Sequence, residues 1–256
     1  MQKRVLIALI LILAILPMLG TGQVFAKTAL VSPPLSSSGQ KTAVILDSLE
    51  KVYPMGFYGK MILGELQSAG YTVTVLADGN VTLDFLVSQL NNYNVIIWRT
   101  DAYTWMHREF WYVGQLSNSA IQEKYASDFT NGWINGNAGI VGVSLDFIYE
   151  HFPANSLSNV KLAVLMSTDS GAFAPVINSA GTKSVIYCIG SVSLSYSLID
   201  DLTGQMLSYL VHGQSVYNAV WNTVSPFVNG SQPEDNLDSN YAPPFYFAGD
   251  GTVTIT

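Results

Sequence analysis

The side chains of this chain that could do chemistry are few. They are three histidines (His107, His151 and His212), one cysteine (Cys188), and a hydroxyl-rich turn, Ser167-Thr168-Asp169-Ser170-Gly171, at the end of the apolar run LAVLM. A Ser or Thr hydroxyl becomes a nucleophile only beside a positioned base, and Asp101 and His107 are the candidates for that role. Cys188 lies inside a second apolar run, SVIYCI, and reads as a small buried hydrophobe. His151 and His212 sit late in helical patterns, where an imidazolium suits the helix dipole. The three histidines and the cysteine lack the close spacings of a zinc centre, and the pair Asp200-Asp201 reads as dipole compensation at a helix start before it reads as a cation site. No cofactor is expected.

These residues must be held by an α/β framework. TAVIL (residues 42–46) is a continuous apolar run ending at Asp47, the pattern of a strand buried on both faces. A helical pattern over residues 59–69 stops at Gly70, and YTVTVL at 71–76 is the next strand. Thr82 caps a helix over 83–90, and a third strand follows at 95–98. Residues 101–142 weaken into an aromatic-rich insert holding Tyr103, Trp105, Phe110, Trp111, Tyr112, Tyr125 and Trp133. Regularity returns with a helix capped by Ser144, a strand at 162–166, a helix at 172–180, a strand at 184–189, and helices over 198–212 and 215–223. The alternation predicts a doubly wound, mainly parallel sheet with helices on both faces, in one domain over residues 41–225. The tail from 226 is rich in Pro, Asn, Asp and Gly, with residues 252–256 as its edge strand.

The amino terminus has the form of an export signal over residues 1–26: Lys3 and Arg4, an apolar run over 5–19, and Val24-Phe25-Ala26 before Lys27. That run is shorter than the roughly 20 residues of a spanning helix, which favours a cleaved signal over an uncleaved anchor. A flexible leader with Pro33 and Pro34 fills residues 27–40. The mature chain is expected to be secreted or displayed at the cell surface, without a stable membrane span. The full sequence has a formal net charge of −7, and the mature part, without Lys3 and Arg4, is more acidic still, which sets it against nucleic-acid backbones. One cysteine makes no intramolecular disulfide, so the core alone must supply stability. Asn80-Val81-Thr82 and Asn229-Gly230-Ser231 match the glycosylation acceptor pattern at Asn80 and Asn229.

Three segments, YNVIIWRTDAY (93–103), SNVKLAVLMSTDSG (158–171) and AGTKSVIYCIGSVS (180–193) followed by LVHGQSVYNAVWNTV (210–224), resemble the caspase-like clan of cysteine peptidases, with its gingipain-like and CHAT-like members. The resemblance implies a three-layer fold with a His after the third strand and a Cys at the end of the fourth. Here Asp101 stands at the His position, through Arg99-Thr100-Asp101, and Thr168 at the Cys position, or Ser167 in a register one residue earlier. Neither supplies a thiolate or an imidazole. The expectation is therefore an exported, non-catalytic relative that keeps a ligand-binding edge made of Arg99, Asp101, Thr168, Asp169 and Ser170, rimmed by the aromatic insert, for a protein or peptide partner. Within it Arg99 is expected to pair with Asp169. Two alternatives stand beside it. One is a secreted hydrolase using Ser167 or Thr168 with Asp101 or His107. The other is an unrelated extracellular α/β ligand-binding module, for which a flavodoxin-like strand order would speak.

Overall fold

The computed structural model describes residues 39–136, 139–167, 170–189, 195–227 and 245–256. The apolar runs form a parallel sheet of β1 (Thr42–Asp47), β2 (Thr72–Ala77), β3 (Val95–Arg99), β8 (Leu162–Met166) and β9 (Ser184–Cys188). An antiparallel edge strand, β10 (Phe245–Gly249), completes it, and the spatial order is β10-β9-β8-β3-β1-β2. Side chains alternate between two separate cores. Val44, Leu46, Ile96, Trp98, Ala163 and Leu165 enter one, while Ala43, Ile45, Val95, Ile97, Val164 and Met166 enter the other. Each face is apolar because each is covered, so the runs show no polar alternation.

Helices α1 (Gly56–Ser68), α7 (Tyr196–Val211) and α8 (Val216–Val224) cover the Ile45 face. Helix α1 ends in two reversed hydrogen bonds, Tyr71 N to Leu66 O and Gly70 N to Gln67 O, with Gly70 at φ 83°, a conformation that costs glycine nothing. The Trp98 face is covered by α2 (Leu83–Gln89), α5 (Leu145–His151) and α6 (Phe173–Ser179). Thr82, Ser144 and Ser195 accept from the backbone N–H three residues on, at the starts of α2, α5 and α7. The molecule is thus a doubly wound, three-layer α/β fold. Among the described residues, no helix is long and apolar enough to cross a membrane.

Two expectations need correction. The aromatic insert is a second, antiparallel sheet of order β4-β5-β7-β6, built from β4 (Ala102–Trp105), β5 (Arg108–Leu116), β6 (Ile134–Asn135) and β7 (Ile140–Ser144), with α3 (Ser119–Lys124) and α4 (Ala126–Thr130) inserted. Its Trp111 stacks on Phe173 at 3.9 Å between ring centroids and meets the edge of Trp98 at 5.1 Å. Such pairs add about 0.5–1.5 kcal/mol each beyond their area. The tail does supply an edge strand, but at Phe245–Gly249. Residues 251–256 instead cross the Ile45 face: Val253 O and Gly251 O accept from Val216 N and Tyr217 N at the start of α8, and Ile255 O accepts from Tyr71 Oη at 2.7 Å. Those carbonyls serve a helix terminus and a phenol in place of a ladder.

Candidate functional site

In an open α/β sheet, ligands bind beyond the carboxyl ends of the strands where the strand order reverses, here between β1 and β3. Parallel register sets Asp47 directly beside Arg99 at that point. Both side chains continue the Ile45-face alternation, so both turn toward α7. There Asp200 meets the guanidinium as a two-point fork, Nε to Oδ1 at 2.8 Å and Nη2 to Oδ2 at 3.0 Å, while Nη1 donates to Asp47 Oδ1 at 3.0 Å. Arg99 is only 1% exposed, and Asp47 and Asp200 are 3% each. Its guanidinium also lies 5.7 Å from the Tyr196 ring centroid, and Tyr53 packs on Tyr196 at 4.8 Å.

The electrostatics follow from burial. Desolvation pushes the Asp47 carboxyl up to about 7, against the pull of Arg99 and the Leu49 N–H and with help from a hydrogen bond to Glu50. Asp200 is also raised, burial outweighing its fork with Arg99. Arg99 is held above its ordinary value because the two carboxylates outweigh its own desolvation. One cation thus faces two buried acids, and burial raises both carboxyls above the ordinary aspartate value. Burial and a hydrogen bond to Asp101 hold the Tyr196 phenol in its neutral form.

Asp101 is therefore tied at the site, to Tyr196 Oη and, through Oδ1, to Ala102 N at 2.9 Å. His107 is not. It occupies the tip of the β4–β5 hairpin, exposed, with Met106 and His107 at φ 48° and 63° in a two-residue turn of the I′ kind. Ser167 is fully buried, and its Oγ has no hydrogen-bond partner among the described residues, so nothing there activates it. Thr100 N–H bonds to Met166 O, which extends the β3–β8 ladder by a residue. Strand alternation then turns Ser167 to the face opposite Arg99 and Asp101.

Ser170, expected among the ligand-binding residues, is a buried staple. Its Oγ accepts from Cys188 N at 2.8 Å and lies 3.1–3.2 Å from the carbonyls of Leu165, Ser167 and Cys188. It ties the end of β8 to the end of β9. Thr168 and Asp169 lie outside the described residues, as does Asn229. Arg99, expected to pair with Asp169, spends its guanidinium on Asp47 and Asp200.

The remaining candidates have structural surroundings. Burial raises the Cys188 thiol far above its ordinary value, so it is no thiolate. His151 Nε2 lies 3.1 Å from Asp128 Oδ1 with its ring against Phe147, and His212 Nδ1 lies 2.6 Å from Ser208 O. Asp200 belongs to the ion-pair cluster, and Asp201 bonds to Gln205 Nε2. Among the described residues no group of three His, Cys, Asp or Glu could hold a metal ion. Asn80 is exposed, its amide donating to Ala77 O.

Sequence reading did not assign Asp47, Glu50 or Tyr196 to this site. The available signal was a carboxylate closing the first apolar strand, opposite an arginine closing the third.

Of the insert's aromatics, Phe110, Trp111 and Tyr125 are buried, Tyr103, Tyr112 and Trp133 are partly buried, and Trp105 is exposed. Of the nine large hydrophobics most exposed among the described residues, five (Val52, Tyr53, Phe57, Trp105 and Met106) lie in the segments leaving the carboxyl ends of β1 and β3. Comparison with models of known protein families and with curated proteins finds no match to this chain.

Proposed function

We propose that this chain is an exported, non-catalytic relative of the caspase-like peptidases, whose carboxyl sheet edge recognises a protein or peptide partner. The observation that carries this reading is Arg99, locked between Asp47 and Asp200 where an open α/β sheet would receive its ligand. The chain fills that crevice with its own ion pairs. What it leaves outside are exposed apolar residues in the segments that leave those strand ends, Val52, Tyr53 and Phe57 after β1 and Trp105 and Met106 after β3, and exposed apolar surface can serve an interaction. On this reading the position corresponding to the peptidase His holds Asp101, bonded to Tyr196, and Ser167 is buried with no hydrogen-bond partner among the described residues.

The strand order supports a second reading, since β2-β1-β3-β8-β9 is the order of flavodoxin-like folds. An unrelated ligand-binding α/β module would use the same edge for a small molecule. Peptide-array binding separates the two. On the proposal, the chain retains a subset of peptides, and Phe57→Asp or Met106→Asp lowers retention at least about tenfold, a loss of ~1.4 kcal/mol. Retention unchanged in both variants would refute recognition through this edge. Saturable small-molecule binding without peptide binding would favour the second reading.

A further inference from the structure

The opposite margin of the parallel sheet carries a different feature. Strand β2 is its last strand, and among the described residues no strand pairs with its outer side. Thr72 N–H donates to Lys41 O at 2.9 Å, which fixes the strand's polarity. The backbone groups of Thr72, Thr74 and Leu76 face β1, and those of Val73, Val75 and Ala77 face outward. Ala77 O accepts from Asn80 Nδ2. Val73 and Val75 keep an outward N–H and C=O each. The edge is open: Thr72 and Val75 are exposed, Val75 at 48%, and the other four residues are partly so.

Edge strands are normally blunted by charge, proline or a bulge. TVTVLA has neither charge nor proline, and its register with β1 runs unbroken from Thr72 to Ala77. On a chain of net charge −7, this stretch is one where two copies can meet without opposing carboxylates.

We infer that β2 is a homotypic pairing edge, joining antiparallel to β2 of a second copy about a twofold axis normal to the sheet. Such an axis preserves the two faces, so residues of like parity must oppose each other. Centring on Thr74 sets Val73 opposite Val75 of the second copy, and Val75 opposite its Val73. Both outward residues then exchange N–H and C=O bonds, four in all by the antiparallel rule. The same register brings Asp78 of each copy to the Gly70 end of the other. There Lys41 Nζ is anchored on Ala69 O at 3.2 Å over the Tyr71 ring, so the strand ends are complementary in charge. The two helix layers continue across the junction.

The register makes the test specific, because Thr74 would face Thr74 of the second copy across a non-hydrogen-bonded pair, with Cβ atoms about 4.5–5.5 Å apart. The full chain carrying Thr74→Cys, mildly oxidised and run without reductant, is expected to migrate mostly as a disulfide-linked dimer. Thr72→Cys, which faces Leu76, should stay monomeric. The native Cys188 is buried and should contribute no cross-link. Adding Val75→Pro removes only an outward N–H, and should abolish the Thr74→Cys dimer. In the unsubstituted chain, amide exchange at Val73 and Val75 should slow as protein concentration rises. A monomeric Thr74→Cys chain, equal cross-linking of Thr72→Cys, or concentration-independent exchange would each overturn the inference.

Discussion

The two halves of the carboxyl edge are closed by different physics. Over β1 and β3 the closure is ionic, with Arg99 between Asp47 and Asp200 and Tyr196 against the guanidinium. Over β8 and β9 it is neutral and local, with Ser170 Oγ set among the backbone groups of Leu165, Ser167 and Cys188. The ionic half draws its partners from distant parts of the chain and depends on protonation. The neutral half joins two adjacent strand ends and carries no titratable group among these contacts. A crevice that could admit a ligand is thus shut twice, once by charge and once by hydrogen bonds.

Removing the cation should separate the halves most clearly. Arg99→Met leaves two buried carboxyls facing one another, and loss of one partner from a buried ion pair costs about 3–5 kcal/mol. At ~2–4 °C per kcal/mol for a chain of this size, the melting temperature should fall by on the order of 10 °C, read by circular dichroism. Ser170→Ala should cost less, about 1–3 kcal/mol, because it strands the Cys188 N–H. Its loss should not vary with pH between 5 and 8, whereas that of the ionic half should.

Asp47 gives that pH dependence a sign. Its carboxyl is raised from 3.8 to about 7, so between those values the folded chain binds more protons than the unfolded one. The stabilisation is complete below pH ~4 and is lost as pH rises through ~7. Urea unfolding at pH 5 and pH 8 should therefore show the chain more stable at pH 5, by on the order of 1–3 kcal/mol. Asp47→Asn, which still accepts from Arg99 Nη1 and Leu49 N, should flatten that slope. An unchanged slope would place the titrating group elsewhere. Asp84, lowered by its bonds to Lys124 and Tyr125, acts in the other direction and only in more acidic solution.

The smallest effect belongs to Ser167→Ala. It removes a buried hydroxyl with no partner among the described residues, so stability should stay within about 1 kcal/mol and shift, if at all, upward.

The parallel sheet was legible because buried strands advertise themselves: TAVIL, VIIW and LAVLM are apolar on both faces, with turn or capping residues at their margins. The second sheet was not legible. Its hairpin turns at Met106-His107, which carries no Asn-Gly signature although both residues adopt positive φ, and β6 is two residues long. The ionic site was half legible. Arg99 and Asp101 were singled out from the end of the third strand, but Arg99 and Asp200 are 101 residues apart in sequence. The helix pattern shows Asp200 as one member of an acidic pair, and only the packing of α7 over the β1–β3 junction turns it inward. Which acid takes the guanidinium is a tertiary decision.

On the function proposed above, this edge binds and does not cut. The direct measurement is turnover of a fluorogenic peptide and ester panel by the full chain, beside Ser167→Ala and Thr168→Ala. The account predicts the same background rate for all three. Turnover above background that either substitution abolishes would contradict it and make the chain a hydrolase.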